Sequence, residues 1–194
     1  RMEAAFSYSK LSDFLRKWHA SNDDSTVALQ VDDQDCFYRM FVCIPHANHI
    51  LLNLCMPVIF VDGCHSKTNL YDGVTITVSV KNGNGSTFPI AFAIVPSEDS
   101  VHCTWLVLML QKAGISVEDY PIFTDRGNLL AASKILLHQY GISLSLKYCL
   151  EHLIRNGVAN FKINKEDHPI FRRFIGNAQA ATSVKSFIGI MASL

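Results

Sequence analysis

The sequence predicts a mixed α/β fold, in which one sheet carries helices on both faces. Residues 58 to 161 read as strands and helices in the order β-β-β-α-β-α-β-α. Hairpin-length turns join the first three strands, which predicts an antiparallel meander. The last two strands each follow a helix and should run parallel to the first, because parallel strands need a crossover connection. The chain has 194 residues, of which 49% are hydrophobic, and this is enough for a full core.

The N-terminal segment, residues 1–56, predicts a helix and a β-hairpin that extend this core. Apolar residues at helical spacing predict a helix over 9–21. Two strand-like runs, 25–31 and 36–44, flank a DDQD turn and predict the hairpin. A second short helix is expected over 46–55.

The core, residues 57–161, begins with three predicted strands at 58–62, 74–81 and 88–96. The second alternates and is rich in β-branched residues. The turn NGNGS at 82–86 is a strong hairpin signal. Pro89 lacks a backbone donor, so it predicts that the third strand lies at a sheet edge.

The rest of the chain alternates helices and strands before it becomes wholly helical. Helices are expected over 100–113, 127–140 and 150–161, and strands over 120–125 and 143–149. Gly141 is a typical residue for the end of the second of these helices. Residues 162–194 predict helical pieces that are broken at Pro169 and Gly176.

The composition excludes several classes of protein. Net charge is zero and the isoelectric point is about 7.2, so a strongly basic DNA-binding surface is absent from the sequence. Six scattered cysteines without CxxC spacing argue against a disulfide scaffold and a zinc ribbon, and favour reduced thiols in an intracellular protein. No apolar run approaches the length of a membrane span, and no signal peptide is expected.

Two acids end similar apolar strands and are the first candidates for chemistry. Asp62 closes IFVD and Asp125 closes IFTD. Ligands of mixed α/β sheets bind at the carboxyl ends of parallel strands, so two neighbouring strands would bring these carboxylates together. The like charges would repel unless a cation lay between them, and hard ions such as Mg²⁺ prefer carboxylate oxygen. Taken singly, each Asp is more simply a turn or helix cap; the pair favours a metal site.

Cys149 and His152 form a second candidate in YCLEHL, where they lie three residues apart on one helix face. They could supply part of a zinc site, but two ligands are not four. On chemistry alone, a half-buried Cys beside a hydrogen-bonded His is the simpler interpretation.

Four blocks of the sequence resemble the transposase domain of Mutator-like elements, the MULE family. The four blocks are CMPVIFVDGCHSK, FPIAFAIVPSEDSVHCTW, IFTDR and YCLEHLIRN, and they are similar to that family's motifs in order and spacing. The segment before them, VDDQDCFYRMFVCI, resembles the family's lead-in. The resemblance implies an RNase H-like fold with sheet order 3-2-1-4-5. It also implies DDE-type DNA transposition, with Asp62 and Asp125 as catalytic acids that bind two Mg²⁺ or Mn²⁺ ions. Cys149 and His152 match the family's CxxH motif, whose role stays open.

The resemblance further implies DNA as partner, homo-oligomerisation and a nuclear or otherwise intracellular location. The family's third acid, a Glu, follows the CxxH on a helix beyond a helical insertion. Residues 162–194 are expected to begin that insertion and to be truncated within it, and neither Glu151 nor Glu166 has the right context. The chain alone is therefore expected to be inactive in strand transfer.

Two other functions remain open at this point. The first is a domesticated, catalytically inactive descendant that binds DNA and regulates transcription. The second is another α/β protein with two aspartates, a phosphatase or receiver domain, although the DxD spacing of one phosphatase class and the lysine context of a receiver are missing.

Overall fold

The computed structural model describes residues 10–66, 72–125 and 127–192. The chain forms two compact units, residues 1–147 and 148–194, and each is described by itself. The divisions at residues 56 and 161 stay a prediction.

The first unit is built on a seven-stranded mixed sheet. Its strands are β1 (Thr26–Val31), β2 (Phe37–Cys43), β3 (Cys55–His65), β4 (Val74–Asn82), β5 (Thr87–Val95), β6 (Pro121–Thr124) and β7 (Ser145–Tyr148). Their order across the sheet is β1-β2-β5-β4-β3-β6-β7. The five core strands thus follow the predicted order 3-2-1-4-5, with β6 parallel to β3, and the RNase H-like fold is confirmed.

Alternating side chains explain why the central strands form. In β4, every second residue from Val74 to Val80 is buried and each intervening one is half-buried. The NGNGS turn closes the β4–β5 hairpin as predicted. Asn82 Oδ1 accepts hydrogen bonds from the backbone N–H of Asn84 at 3.1 Å and of Ser86 at 2.9 Å, and Gly85 adopts φ +79°.

Helices cover both faces of the sheet, as predicted. In the first unit they are α1 (Leu11–Ala20), α2 (Ala47–Leu54), α3 (Ser100–Lys112) and α4 (Asn128–Ile135), the last continued by a π-helical turn over Leu136–Tyr140. Successive residues of β2 divide between two clusters: Phe41 packs with α3 and α4 in the main core, whereas Met40 packs with Leu15 of α1. Gly141 adopts φ +69° and ends the α4 segment where expected.

The prediction that Pro89 marks an edge strand is wrong. Strand β5 lies inside the sheet, between β2 and β4. The physical reason is that β2 pairs with β5 only from Ala91 to Ile94, followed by a bond from Ile44 N–H to Ile90 O. Pro89 falls just beyond this pairing, so its missing N–H is not needed there.

The second unit contains α5 (Leu150–Phe161), a short 3₁₀ turn (Lys165–Asp167), α6 (His168–Gln179) and α7 (Val184–Met191). Helices α5 and α6 pack at Gly157, which lies against the Phe171 ring, and a bidentate Arg172–Glu151 pair at 2.5 and 2.8 Å joins them. The predicted break at Gly176 is wrong, because α6 continues through it. Pro169 instead occupies the first turn, where no backbone donor is required.

Candidate metal centre

Asp62 lies in β3, and Asp125 directly follows β6, the adjacent parallel strand. The β3–β6 register pairs Ile59 with Ile122 and Phe60 with Phe123, and each acid comes two residues after the second pair. Strand β3 continues to His65, so the prediction that Asp62 ends this strand is wrong, because pairing with β4 extends as far as His65. The structure therefore makes the two acid-bearing segments neighbours, and a direct approach of the two carboxylates stays a prediction.

The acids share a face of the sheet with an aromatic pair. Phe60 and Phe123 lie two residues before the acids on the same face by strand alternation. Their rings stack, with centroids 5.4 Å apart and an interplanar angle of 24°. Asp62 is exposed and Asp125 is half-buried, so the acidic pair lies at the solvent side of this apolar floor.

The connection after β6 fixes the position of Asp125. Its Oδ1 accepts a hydrogen bond from the Gly127 N–H at 2.8 Å, immediately before α4 begins. His65, which follows the first acid, is exposed at the end of β3. Arg126, its counterpart after the second acid, lies outside the described residues.

A third acid, Glu98, reaches the same edge of the sheet. Its carboxylate packs on Gly63, the residue after Asp62, so closely that a Cβ added to Gly63 would collide with Oε2. The backbone carbonyl of Glu98 accepts a hydrogen bond from the Asn128 side chain, at the start of α4. Glu98 is thus held between the segments that carry the other two acids.

The neighbouring Asp99 has a different task, because it caps α3. Its Oδ1 accepts hydrogen bonds from the backbone N–H groups of Val101 and His102, both at 2.9 Å. The same oxygen lies 3.0 Å from Nδ1 of the buried His102, whose Nε2 lies 3.2 Å from the Tyr38 hydroxyl. Strand β2 therefore helps to fix the first turn of α3, directly after Glu98.

The thiol of Cys103, in the first turn of α3, is affected by the charges of three acids. Burial, together with the smaller effect of the charges of Glu98, Asp99 and Asp125, raises its pKa to about 12. Glu98 and Asp125 therefore lie near the same buried sulfur, although they are 27 residues apart in sequence.

Cys149 and His152 belong to the second unit. Cys149 precedes α5 and His152 lies in its first turn, and both are half-buried. The prediction that both residues lie on one helix face is wrong, because Cys149 is extended and the helix begins only at Leu150. Within residues 10–66, 72–125 and 127–192, no group of three or more His, Cys, Asp or Glu side chains is arranged to hold a metal ion, so a complete zinc site is not seen there.

The sequence analysis missed Glu98 and Asn128 as residues of this region. The SED segment that contains Glu98 belonged only to a motif, because no local pattern shows that the segment after β5 contacts Gly63 of β3 and Asn128 of α4. That proximity depends on sheet order.

Comparisons with known proteins give matches among solved structures. No family profile and no curated protein matches the chain. Among solved structures, the chain is similar to the HTLV-2 integrase catalytic core domain in complex with magnesium, in its trimeric form. The TM-score is 0.34 and the identity is 11%, over 63% of this chain and 84% of the integrase chain. No helix within the described residues is long and apolar enough to cross a membrane.

Proposed function

We propose that this chain carries the catalytic core of a DDE-type DNA transposase of the Mutator-like class. The observation that supports the proposal most is the parallel pairing of β3 with β6, whose last pair, Phe60 and Phe123, comes two residues before Asp62 and Asp125. The motif resemblance of the sequence agrees with this arrangement. Binding of transposon DNA, homo-oligomerisation and a nuclear location belong to the same proposal.

The donor set suits a hard divalent cation. Two carboxylates at one sheet edge repel each other, and a cation between them removes that cost. Mg²⁺ and Mn²⁺ prefer carboxylate oxygen as a ligand, whereas softer metals prefer sulfur or imidazole nitrogen. Asp62 and Asp125 would hold the ion or ions, and bound ions would activate the nucleophile and stabilise the leaving oxygen of a DNA phosphodiester.

The chain's own residues contribute rigidity and positioning. Strands β3 and β6 fix the backbones of the two acids through the sheet, and Gly127 orients the Asp125 carboxylate through its N–H. The rings of Phe60 and Phe123 stack two residues before the acids, and this contact adds to the pairing of β3 with β6.

The test is a calorimetric titration of the chain with Mn²⁺ and Mg²⁺. We expect binding by the wild type and a loss of at least about tenfold in affinity for Asp62→Asn and for Asp125→Asn, since each removes a charged ligand. Asp119→Asn is the matched control: Asp119 is exposed and precedes β6, at the opposite edge of the sheet. If the wild type binds neither ion at millimolar concentration, the proposal fails.

The inactive-regulator alternative predicts a different pattern. Such a protein would bind DNA with an affinity that neither the ions nor the two Asp→Asn substitutions change. The same variants in a DNA-binding assay with and without Mn²⁺ therefore separate the two functions.

A further inference from the structure

We propose that Asn84 is a site of spontaneous deamidation, at which the folded chain converts this residue to Asp and isoaspartate. Glycine after Asn favours this reaction, because it has no side chain to hinder an approach by its backbone nitrogen. The sequence contains three such pairs, Asn82–Gly83, Asn84–Gly85 and Asn156–Gly157. They are equivalent by this criterion, and the structure distinguishes between them. The reaction is independent of the proposed metal chemistry.

The chemistry needs only the chain and water. The backbone nitrogen of the glycine loses its proton to hydroxide and attacks Cγ of the preceding Asn, so that a C–N bond forms. The Cγ–Nδ2 bond then breaks, and the amide nitrogen takes a proton from water and leaves as ammonia. Water opens the resulting succinimide ring at either carbonyl, which gives Asp or isoaspartate. The net change consumes a water molecule, releases ammonia and adds a carboxylate to the chain.

Asn84 lies in the exposed part of the NGNGS turn between β4 and β5. Its backbone N–H donates to Asn82 Oδ1, but its side-chain amide has no hydrogen bond within the part of the chain that the structure describes. The attacking nitrogen, that of Gly85, donates to the Asn82 carbonyl at 2.9 Å. A Cβ added to Gly85 would meet no atom within 4 Å, so the space beside the reacting groups is open. Opening of the turn hydrogen bond from Gly85 therefore frees the nitrogen, and the Asn84 side chain rotates toward it without loss of a partner.

Asn82 has the same neighbour in sequence but is held by the hairpin. Its Oδ1 accepts hydrogen bonds from the backbone N–H groups of Asn84 at 3.1 Å and Ser86 at 2.9 Å. Its own N–H donates to the Ser86 carbonyl at 3.0 Å, and it is the last residue of β4. Rotation of its side chain toward the nitrogen of Gly83 would break both contacts of Oδ1, so the fold slows the reaction there.

Asn156 is exposed, as Asn84 is, but it lies inside helix α5. The nitrogen of Gly157 belongs to the hydrogen-bonded backbone of this helix, and Gly157 packs against the Phe171 ring. Attack on Asn156 would require local opening of the helix and loss of this contact. Exposure alone thus does not select the reactive residue, whereas the hydrogen bonds of the backbone do.

The experiment is a time course of the full folded chain at mildly alkaline pH, beside a second sample unfolded in guanidinium chloride. Peptide mass spectrometry with fragmentation measures the converted fraction at each Asn, and ion exchange separates the product by its additional negative charge. In the folded chain we expect Asn84 to convert at least about tenfold faster than Asn82 and Asn156, because hydrogen bonds and helix opening oppose the reaction at the other two. In the unfolded chain the three rates should be similar, because each Asn is then followed by an unrestrained glycine.

Two variants with the same change of charge assign the reaction to its residue. Asn84→Asp should remove the fast conversion. Asn82→Asp keeps a side-chain oxygen for the N–H groups of the turn and should leave the rate at Asn84 unchanged. If Asn82 or Asn156 converts as fast as Asn84 in the folded chain, the assignment to Asn84 is refuted. It is refuted equally if Asn84 stays intact in the folded chain while all three residues convert after unfolding.

Discussion

The cap of α3 offers a quantitative test of how the structure holds the segment beside the candidate metal centre. Three hydrogen-bonding contacts converge on Asp99 Oδ1: the N–H groups of Val101 and His102, each at 2.9 Å, and His102 Nδ1 at 3.0 Å. The other oxygen accepts from the Ser97 hydroxyl at 2.6 Å. Asp99→Ala removes all four contacts, whereas Asp99→Asn keeps an oxygen for the first three.

The expected loss follows from these contacts. Removal of an N-cap costs about 1 kcal/mol, with a range of about 0.5–2. His102 is 5% exposed, and its Nδ1 would keep only the longer contact with the Ser97 hydroxyl at 3.5 Å; a buried polar group that loses its hydrogen bond costs about 1–3 kcal/mol. We therefore expect Asp99→Ala to lower the free energy of unfolding by about 2–4 kcal/mol. Asp99→Asn should cost less than about 1 kcal/mol, since Asn caps helices as well as Asp does.

Urea unfolding followed by tryptophan fluorescence measures this difference. Both tryptophans, Trp18 and Trp105, lie in the first unit, and Trp105 belongs to α3 itself. Thermal unfolding should show a fall in melting temperature of about 4–16 °C for Asp99→Ala. Equal stabilities of the Ala and Asn variants would refute the reasoning, because they would show that the contacts of Oδ1 contribute nothing.

The same pair of proteins gives a pH dependence with a defined sign. Burial acts to raise the pKa of Asp99, but the hydrogen bonds from Ser97 and His102 outweigh it, and the pKa lies below its ordinary value of 3.8. A lowered pKa stabilises the fold above the unfolded value, and this stability is lost as pH falls through the folded value. The advantage of wild type over Asp99→Asn should therefore shrink below about pH 4; a difference that stays constant to about pH 2.5 contradicts this.

Two further predictions concern the thiols and the second unit. At pH 8 a thiol reagent should modify the exposed Cys36 and Cys64 quickly. Cys43 and Cys103 should react only on unfolding, because they are buried and burial raises their pKa values to about 12. Peptide mass spectrometry measures the labelling, and rapid labelling of either buried thiol in the folded protein would contradict the structure. Gly157→Ala should force a methyl group into the Phe171 ring and destabilise residues 148–194 by about 1–3 kcal/mol, whereas Gly176→Ala, which meets nothing within 4 Å, should stabilise them by about 0.5–1 kcal/mol. Hydrogen exchange of α5 and α6 measures both effects, and equal changes in the two variants would exclude the proposed packing.

Local chemistry made much of the fold predictable. The alternation in VTITVSVK and the turn NGNGS specify a strand and its hairpin within a few residues, because side-chain period and turn geometry are local properties. The motif resemblance added the sheet order, which the structure confirms. The edge position assigned to Pro89 and the break assigned to Gly176 were wrong, since one depends on how far β2 extends along β5 and the other on whether a helix is held by its neighbours.

The sequence by itself determined that Asp62 and Asp125 each follow an apolar run, and that Cys149 and His152 lie three residues apart at the start of a helix. Only the tertiary structure decided that β3 and β6 are adjacent and parallel, and that Glu98, which follows β5, contacts Gly63 in β3. The physical reason is that strand ends become neighbours through pairing between segments more than 30 residues apart. The requirement for glycine at position 63 is likewise visible only in the folded chain, because the Glu98 carboxylate occupies the space that a side chain there would need.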